Sequence, residues 1–218
     1  MDSRLDDVAW PVRTERLRIR PAVVEDLDAT WRYRRLDSVC RWMTTFPATR
    51  AAYRSMMEDP ERLAKTLVVE RDGRDGPDGP DSMVVGDLML AVEDAWSQSE
   101  VAAQARGVQA EIGWCLDPAY AGQGLATEAC EALVRICFET LGLRRLTANC
   151  FADNERSWRL MERLGMRREV HTVRESLHRS GLWLDGFGYA LLADEWRASR
   201  DGALSPGRTR PVPGSARA

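Results

Sequence analysis

The stretch from Glu111 to Gly142 constrains the fold more than any other part of the chain. In "EIGWCL" (111–116) apolar and other residues alternate, so Ile112, Trp114 and Leu116 share one strand face. Glu111, Gly113, Cys115 and Asp117 share the opposite face. "DPAYAGQG" follows, with two glycines around a glutamine. Apolar residues then recur at helical spacing for about 17 residues, until Gly142 stands where a cap is needed. The first N–H groups of a helix lack internal partners and its dipole adds partial positive charge, so a strand, a Gly-x-Gly turn and a helix together form an anion site. Gly122 and Gly124 would let a diphosphate approach bare backbone, and the Thr127 hydroxyl would add a donor in the first turn. A tight turn alone would explain the same glycines.

Two phosphate loops do not fit. A Walker loop needs Gly-Lys-Ser/Thr, and the only lysine is Lys65, far upstream. A dinucleotide fingerprint calls for glycine at Thr127 and an acid near Leu146 to Asn149.

The remaining patterns predict an α/β fold. "ERLRIRP" (15–21), "KTLVVER" (65–71), "MVVGDLML" (83–90) and "RRLTANCF" (144–151) have strand character, as do segments near 167–177 and 182–192 that flank the turn "HRSG". Residues 25–36, 49–59 and 154–164 are helical, with Pro60 bounding the second and Gly165 ending the third. "DGRDGPDGPDS" between two strands is a hairpin loop. The order βααβββαβαββ gives a mixed, mostly antiparallel α+β sheet with helices on both faces, in one domain over 13–197. Residues 198–218 turn rich in Gly, Pro, Ser, Ala and Arg and are expected to be disordered.

Composition narrows the function. The 218 residues are 44% hydrophobic and carry a net charge of −3, with Arg and Asp/Glu interspersed rather than blocked, so no nucleic-acid footprint stands out. No apolar run approaches the ~20 residues of a membrane span, and the acidic start lacks a secretory apolar region. Five cysteines without a C-x-x-C pair, and two histidines, argue against a disulfide framework or a metal site. A reduced, cytoplasmic compartment is expected.

The sequence resembles the GNAT acyltransferase superfamily, whose acetyl-CoA loop reads Gln/Arg-x-x-Gly-x-Gly/Ala. Here that loop is Ala121-Gly122-Gln123-Gly124-Leu125-Ala126. "TERLRIRP", "DPAYAGQGLATEA", "ADNERSWRLMERLGM" and "DGFGYALLADEW" follow in the family's order and look like the branch of ribosomal-protein N-terminal acetyltransferases. Ala121 departs from the pattern, but the family's loop contacts are chiefly backbone N–H groups. The resemblance implies acetyl-CoA as cosubstrate, an amine acceptor and, often, a homodimer. It also implies that the strand around Trp114, Cys115 and Leu116 splays from 144–151 and pairs with the pantetheine arm.

Acetyl transfer to an amine needs a held thioester, a polarised carbonyl and a deprotonated amine. A backbone N–H at 114–116 would serve as the oxyanion donor. Glu111 is the candidate base, a partly buried carboxylate able to take the proton through water; pairing with an arginine is the alternative reading. Asn154 suits a helix N-cap, and the family's Asn-x-x-Ser pattern implies that Asn154 meets the CoA arm and Ser157 lies near the sulfur. Where several branches carry an acidic tyrosine this chain has Met161, which leaves Ser157, Tyr189, Tyr120 or water to protonate the thiolate. Cys130 and Cys137 belong to the core, and His171 to the surface. Trp31, Tyr33, Trp42 and Trp183 are available to line the acceptor site. Ala121 and Met161 also admit a non-catalytic acyl-CoA sensor.

Overall fold

The computed structural model describes residues 5–71 and 83–201. The loop expected at 72–82 lies outside them, as does the expected disordered tail from 202 onward. Eight strands form one sheet: β1 (Val12–Arg13), β2 (Leu17–Pro21), β3 (Thr66–Arg71), β4 (Met83–Glu93), β5 (Gln109–Leu116), β6 (Arg145–Phe151), β7 (Arg167–Leu177) and β8 (Trp183–Leu192). Their spatial order is β1-β2-β3-β4-β5-β6-β8-β7. Every neighbouring pair is antiparallel except β5 and β6.

The two sheet faces bury different sets of side chains. Leu67, Val69, Leu88, Leu90, Ile112 and Leu146 pack on one face beneath α5 (Leu125–Arg135), α6 (Glu155–Arg163) and α7 (Ala193–Arg200). Val68, Val84 and Cys115 point the other way, toward Tyr33 of α1 (Leu27–Arg34). Because both faces are covered, β3 and β4 read as nearly continuous apolar runs rather than alternating ones. The amphipathic pattern of α5 puts Ala129, Cys130 and Leu133 at full burial, and Cys137 follows in a π-helical extension, Ile136–Thr140, before Gly142 turns the chain at φ 63°. Each such buried Leu contributes about 1.5–3 kcal/mol over exposure.

The expected elements are present, and several short ones were not anticipated, among them β1, α2 (Asp37–Cys40), α4 (Pro60–Leu63), α7 and the 3-10 segment Ser99–Ala105. Pro60 does not merely stop α3 (Arg50–Met57). With the Asp59 carboxylate accepting from Glu61 N at 3.1 Å, it opens α4, because proline's missing N–H costs nothing at a first helical position. α7 carries regular structure to Arg200, three residues past the expected end at 197. None of the helices among the described residues is long and apolar enough to cross a membrane.

Candidate functional site

The parallel pair β5 and β6 separates partway along its length. Their ladder holds Gln109↔Arg145, Ala110↔Leu146 and Glu111↔Thr147, and then stops. β5 continues to Leu116 against β4, while β6 continues to Phe151 against β8, so each strand is held from its outer side. The result is a V that opens toward the C-terminal ends of both strands. Asp117 N–H donates to the Val85 carbonyl at 2.9 Å, and Arg144 N–H to the Val108 carbonyl at 2.7 Å. Strand alternation then directs the peptide groups of odd-numbered β5 residues toward β4 and of even-numbered ones toward the gap. Trp114 and Leu116 present N–H and C=O groups to the opening. Cys115 does not: its peptide groups face β4 and its thiol is buried on the α1 side.

Two helices begin at the wide end of the V. Residues 117–124 connect β5 to α5. Gly122 and Gly124 hold φ values of 76° and 77°, which favour glycine, and Gly124 occupies the N-cap, so no side chain satisfies the first amides of α5. Ala121 to Gly124 are exposed, Leu125 anchors the turn in the core, and Ala126 and Thr127 are half-buried. The base of the loop is fixed by Asp117, which accepts from Ala119 N at 2.9 Å and pairs with Arg32 at 3.0 Å.

At the start of α6, Asn154 stands in the N-cap position, but its side chain makes no capping bond. The sequence expectation of an ordinary cap is corrected: its backbone φ of −83° and ψ of 67° lie outside the extended conformation usual for a capping residue. Burial pushes the Cys150 thiol up to about 11, an effect that Ser157, one turn into α6, partly offsets.

Glu111 lies half-buried on the α1 side of the V. Its partner is an amide rather than an arginine: Nδ2 of Asn149 donates to Oε1 at 3.1 Å. Cys115 sits beside a buried charge network in which Asp87 accepts from the Tyr33 hydroxyl at 2.6 Å and from Arg34 Nε at 2.9 Å, with a second contact to Arg34 Nη2. Burial, reinforced by Asp87, pushes the Cys115 thiol up to about 12.

The other candidate proton donors are engaged elsewhere. Tyr189 is buried and donates to Glu162 at 3.1 Å, and desolvation pushes its hydroxyl up to about 12. The Tyr120 hydroxyl contacts the Met83 sulfur, and Met161 is buried. His171 pairs with Asp185 at 2.8 Å on the exposed outer strand. Of the four aromatic residues expected near an acceptor, Trp42 alone reaches the end of β6. It packs 5.9 Å from Phe151 and 5.5 Å from His178, whose Nε2 bonds the Arg41 carbonyl at 2.9 Å and so docks the β7–β8 turn there. Tyr33 is interior, Trp31 stacks on Tyr53 at 5.2 Å, and Trp183 is exposed.

Sequence reasoning missed three participants: Asn149, Asp87 and Arg16. Asn149 was legible as the residue two beyond Thr147 on one strand face, and Asp87 as a lone carboxylate inside an apolar strand. Arg16, whose Nη1 donates to the Gln123 carbonyl at 2.9 Å, left no signal near the glycine loop it contacts.

The sequence matches the acetyltransferase (GNAT) domain family over residues 16–167. The chain belongs to that family. An uncharacterized N-acetyltransferase of Bacillus subtilis, YnaD, is 37% identical over 86 residues, 39% of this chain and 50% of that protein. The [Ribosomal protein uS5]-alanine N-acetyltransferase of Escherichia coli is 32% identical over 89 residues, 41% of this chain and 45% of that protein. The chain thus spans about half the length of these curated relatives. A solved structure described as RimL, ribosomal L7/L12 alpha-N-protein acetyltransferase in complex with coenzyme A, superposes with a TM-score of 0.67 at 17% identity, over 85% of this chain and 98% of that one. Such a likeness establishes the common fold.

Proposed function

We propose that this chain transfers an acetyl group from acetyl-CoA to a primary amine by direct attack within a ternary complex. The observation that carries the reading is the V between β5 and β6, with its uncapped helix start: a strand edge and a set of free amides converge on one opening. Ligands of parallel sheets gather where adjacent strands part at their C-terminal ends. The amides of Gly122 to Thr127 would receive the diphosphate. Trp114 and Leu116 would pair with the pantetheine arm, one N–H holding the thioester oxygen as negative charge develops on it, a contact worth about 3 kcal/mol in comparable sites. Glu111, oriented by Asn149, would accept the ammonium proton through water, and Ser157 would protonate the departing thiolate or hold the water that does. Asn154, free of capping duty, is available to the CoA arm.

Direct attack is supported by the state of the neighbouring thiols. Cys115 and Cys150 are held well above neutral, so neither offers a thiolate to carry an acyl group at pH 7. The acceptor is an amine that enters from the α1 side past Trp42. An N-terminal amine is favoured by the named activity of the uS5 relative, and a small-molecule amine is the other candidate. The transfer unit is the single domain expected over 13–197, extended at its two ends by β1 and α7, acting without a metal, in the cytoplasm, as a monomer or homodimer. The test is thiol release from acetyl-CoA across a panel of N-terminal peptides, amino acids and polyamines. Release with at least one class is expected; tight CoA binding with no turnover on any amine overturns the reading.

A further inference from the structure

The turn between β1 and β2 grips the glycine loop through a single side chain. Arg16 Nη1 donates to the Gln123 carbonyl at 2.9 Å, and Arg16 Nε and Nη2 reach Glu128 Oε2 at 2.7 Å. The other carboxylate oxygen accepts from Arg16 N at 2.9 Å and from the Thr14 hydroxyl. Glu128 lies in the first turn of α5. A carboxylate there suits the helix dipole, yet it stands among the amides that would receive a diphosphate and repels that ligand. Arg16 cancels its charge. The carbonyl contact has a separate effect. In a trans peptide C=O and N–H point in opposite directions, so holding the Gln123 oxygen on the Arg16 side turns the Gly124 N–H away from Arg16, toward the outside of the loop.

Resting on the acetyl-CoA reading above, we propose Arg16 as a positioning residue for the diphosphate: it neutralises Glu128 and fixes the Gln123–Gly124 peptide so that its N–H faces the ligand. Calorimetric titration of CoA into the wild type, R16A, E128Q and R16A/E128Q tests this, with thermal unfolding of each protein in parallel. R16A is expected to weaken CoA about tenfold, the equivalent of one charged hydrogen bond. It should raise KM for acetyl-CoA and leave kcat at saturation nearly unchanged. R16A/E128Q should bind CoA more tightly than R16A, because the uncompensated carboxylate is gone, yet more weakly than E128Q, because nothing then holds the Gln123–Gly124 peptide. It should melt no higher than R16A. E128Q, which keeps Arg16, should bind CoA more tightly than the wild type. A double variant as weak as R16A, or an R16A that binds normally, overturns the proposal. So does an E128Q that binds as weakly as R16A, an outcome that remains readable if R16A does not fold. Failure of the wild type to bind CoA would instead bring down the functional reading, and this inference with it.

Discussion

Gly122→Ala separates a glycine that shapes a turn from one that makes room for a ligand. Gly122 has φ 76°, and a Cβ built there meets no protein atom within 4 Å. The protein therefore charges only the backbone cost of a left-handed non-glycine residue, about 1–2 kcal/mol. For a chain of this size that lowers Tm by roughly 2–8 °C. Gly142, at the other end of α5, supplies the control, because it has φ 63° and equally open surroundings. Gly142→Ala should cost similar stability and leave CoA binding alone. At Gly122 the added methyl instead occupies the approach of the diphosphate. Displacing the phosphate from two loop amides, each contributing about 1.5–3 kcal/mol to a charged acceptor, weakens CoA by about 3 kcal/mol or more, roughly a hundredfold. Calorimetric titration of CoA into both variants reads this directly. A Kd for Gly122→Ala within twofold of the wild type would show that no phosphate meets the loop there.

Glu111→Gln should lower kcat by roughly a hundredfold, the lower end for a lost general base, while CoA affinity persists; an unchanged rate measured from pH 6 to 9 removes Glu111 from the role. Asp87→Asn leaves the Arg34 charge buried without its counter-ion, so urea unfolding should show a loss of about 3–5 kcal/mol; a loss below 1 kcal/mol would mean that water reaches the pair. Arg145, with Arg167, holds the Glu169 carboxyl below its ordinary value of 4.5. A depressed carboxylate stabilises the fold above its unfolded pKa, and this contribution is lost as pH falls through the folded one. Glu169→Gln should therefore melt slightly below the wild type at pH 7 and together with it near pH 3; a difference that persists in acid refutes the assignment.

The sheet was legible where one residue type repeats at one period. Leu17 and Ile19, or Ile112 and Trp114, announce buried faces by spacing alone, and the glycine pair announces a loop whose dihedral angles only glycine adopts easily. Elements under five residues were not legible, because α2 and α4 hold too few turns to show a period. Proline is ambiguous in the same way, since it ends one helix and starts the next with equal ease. At the site, the main-chain groups followed from the strand and helix boundaries, whereas side-chain partnerships did not. Glu111 invited an arginine because the chain is full of them, yet Asn149 takes that place through strand register. Arg16 and Glu128 are 112 positions apart, and only the β1–β2 turn brings them together.

The open V leaves a debt that a ligand can settle. Strand edges are normally paired or covered, and helix starts are normally capped, but here Trp114, Leu116 and the first amides of α5 all face the same opening. An extended molecule about as wide as a strand, with amides along its length and an anionic end, would complete both. Pantetheine diphosphate has that shape and chemistry. Binding to the folded state alone then stabilises it by linkage: CoA at a hundred times its Kd should add about 2.7 kcal/mol, a rise in Tm of roughly 5–11 °C. ADP supplies the anionic end without the arm, and at equal concentration should give a much smaller shift, because the gap between β5 and β6 stays unfilled. Equal shifts for CoA and ADP would mean that the loop alone is the binding site and that the separated strands serve no ligand.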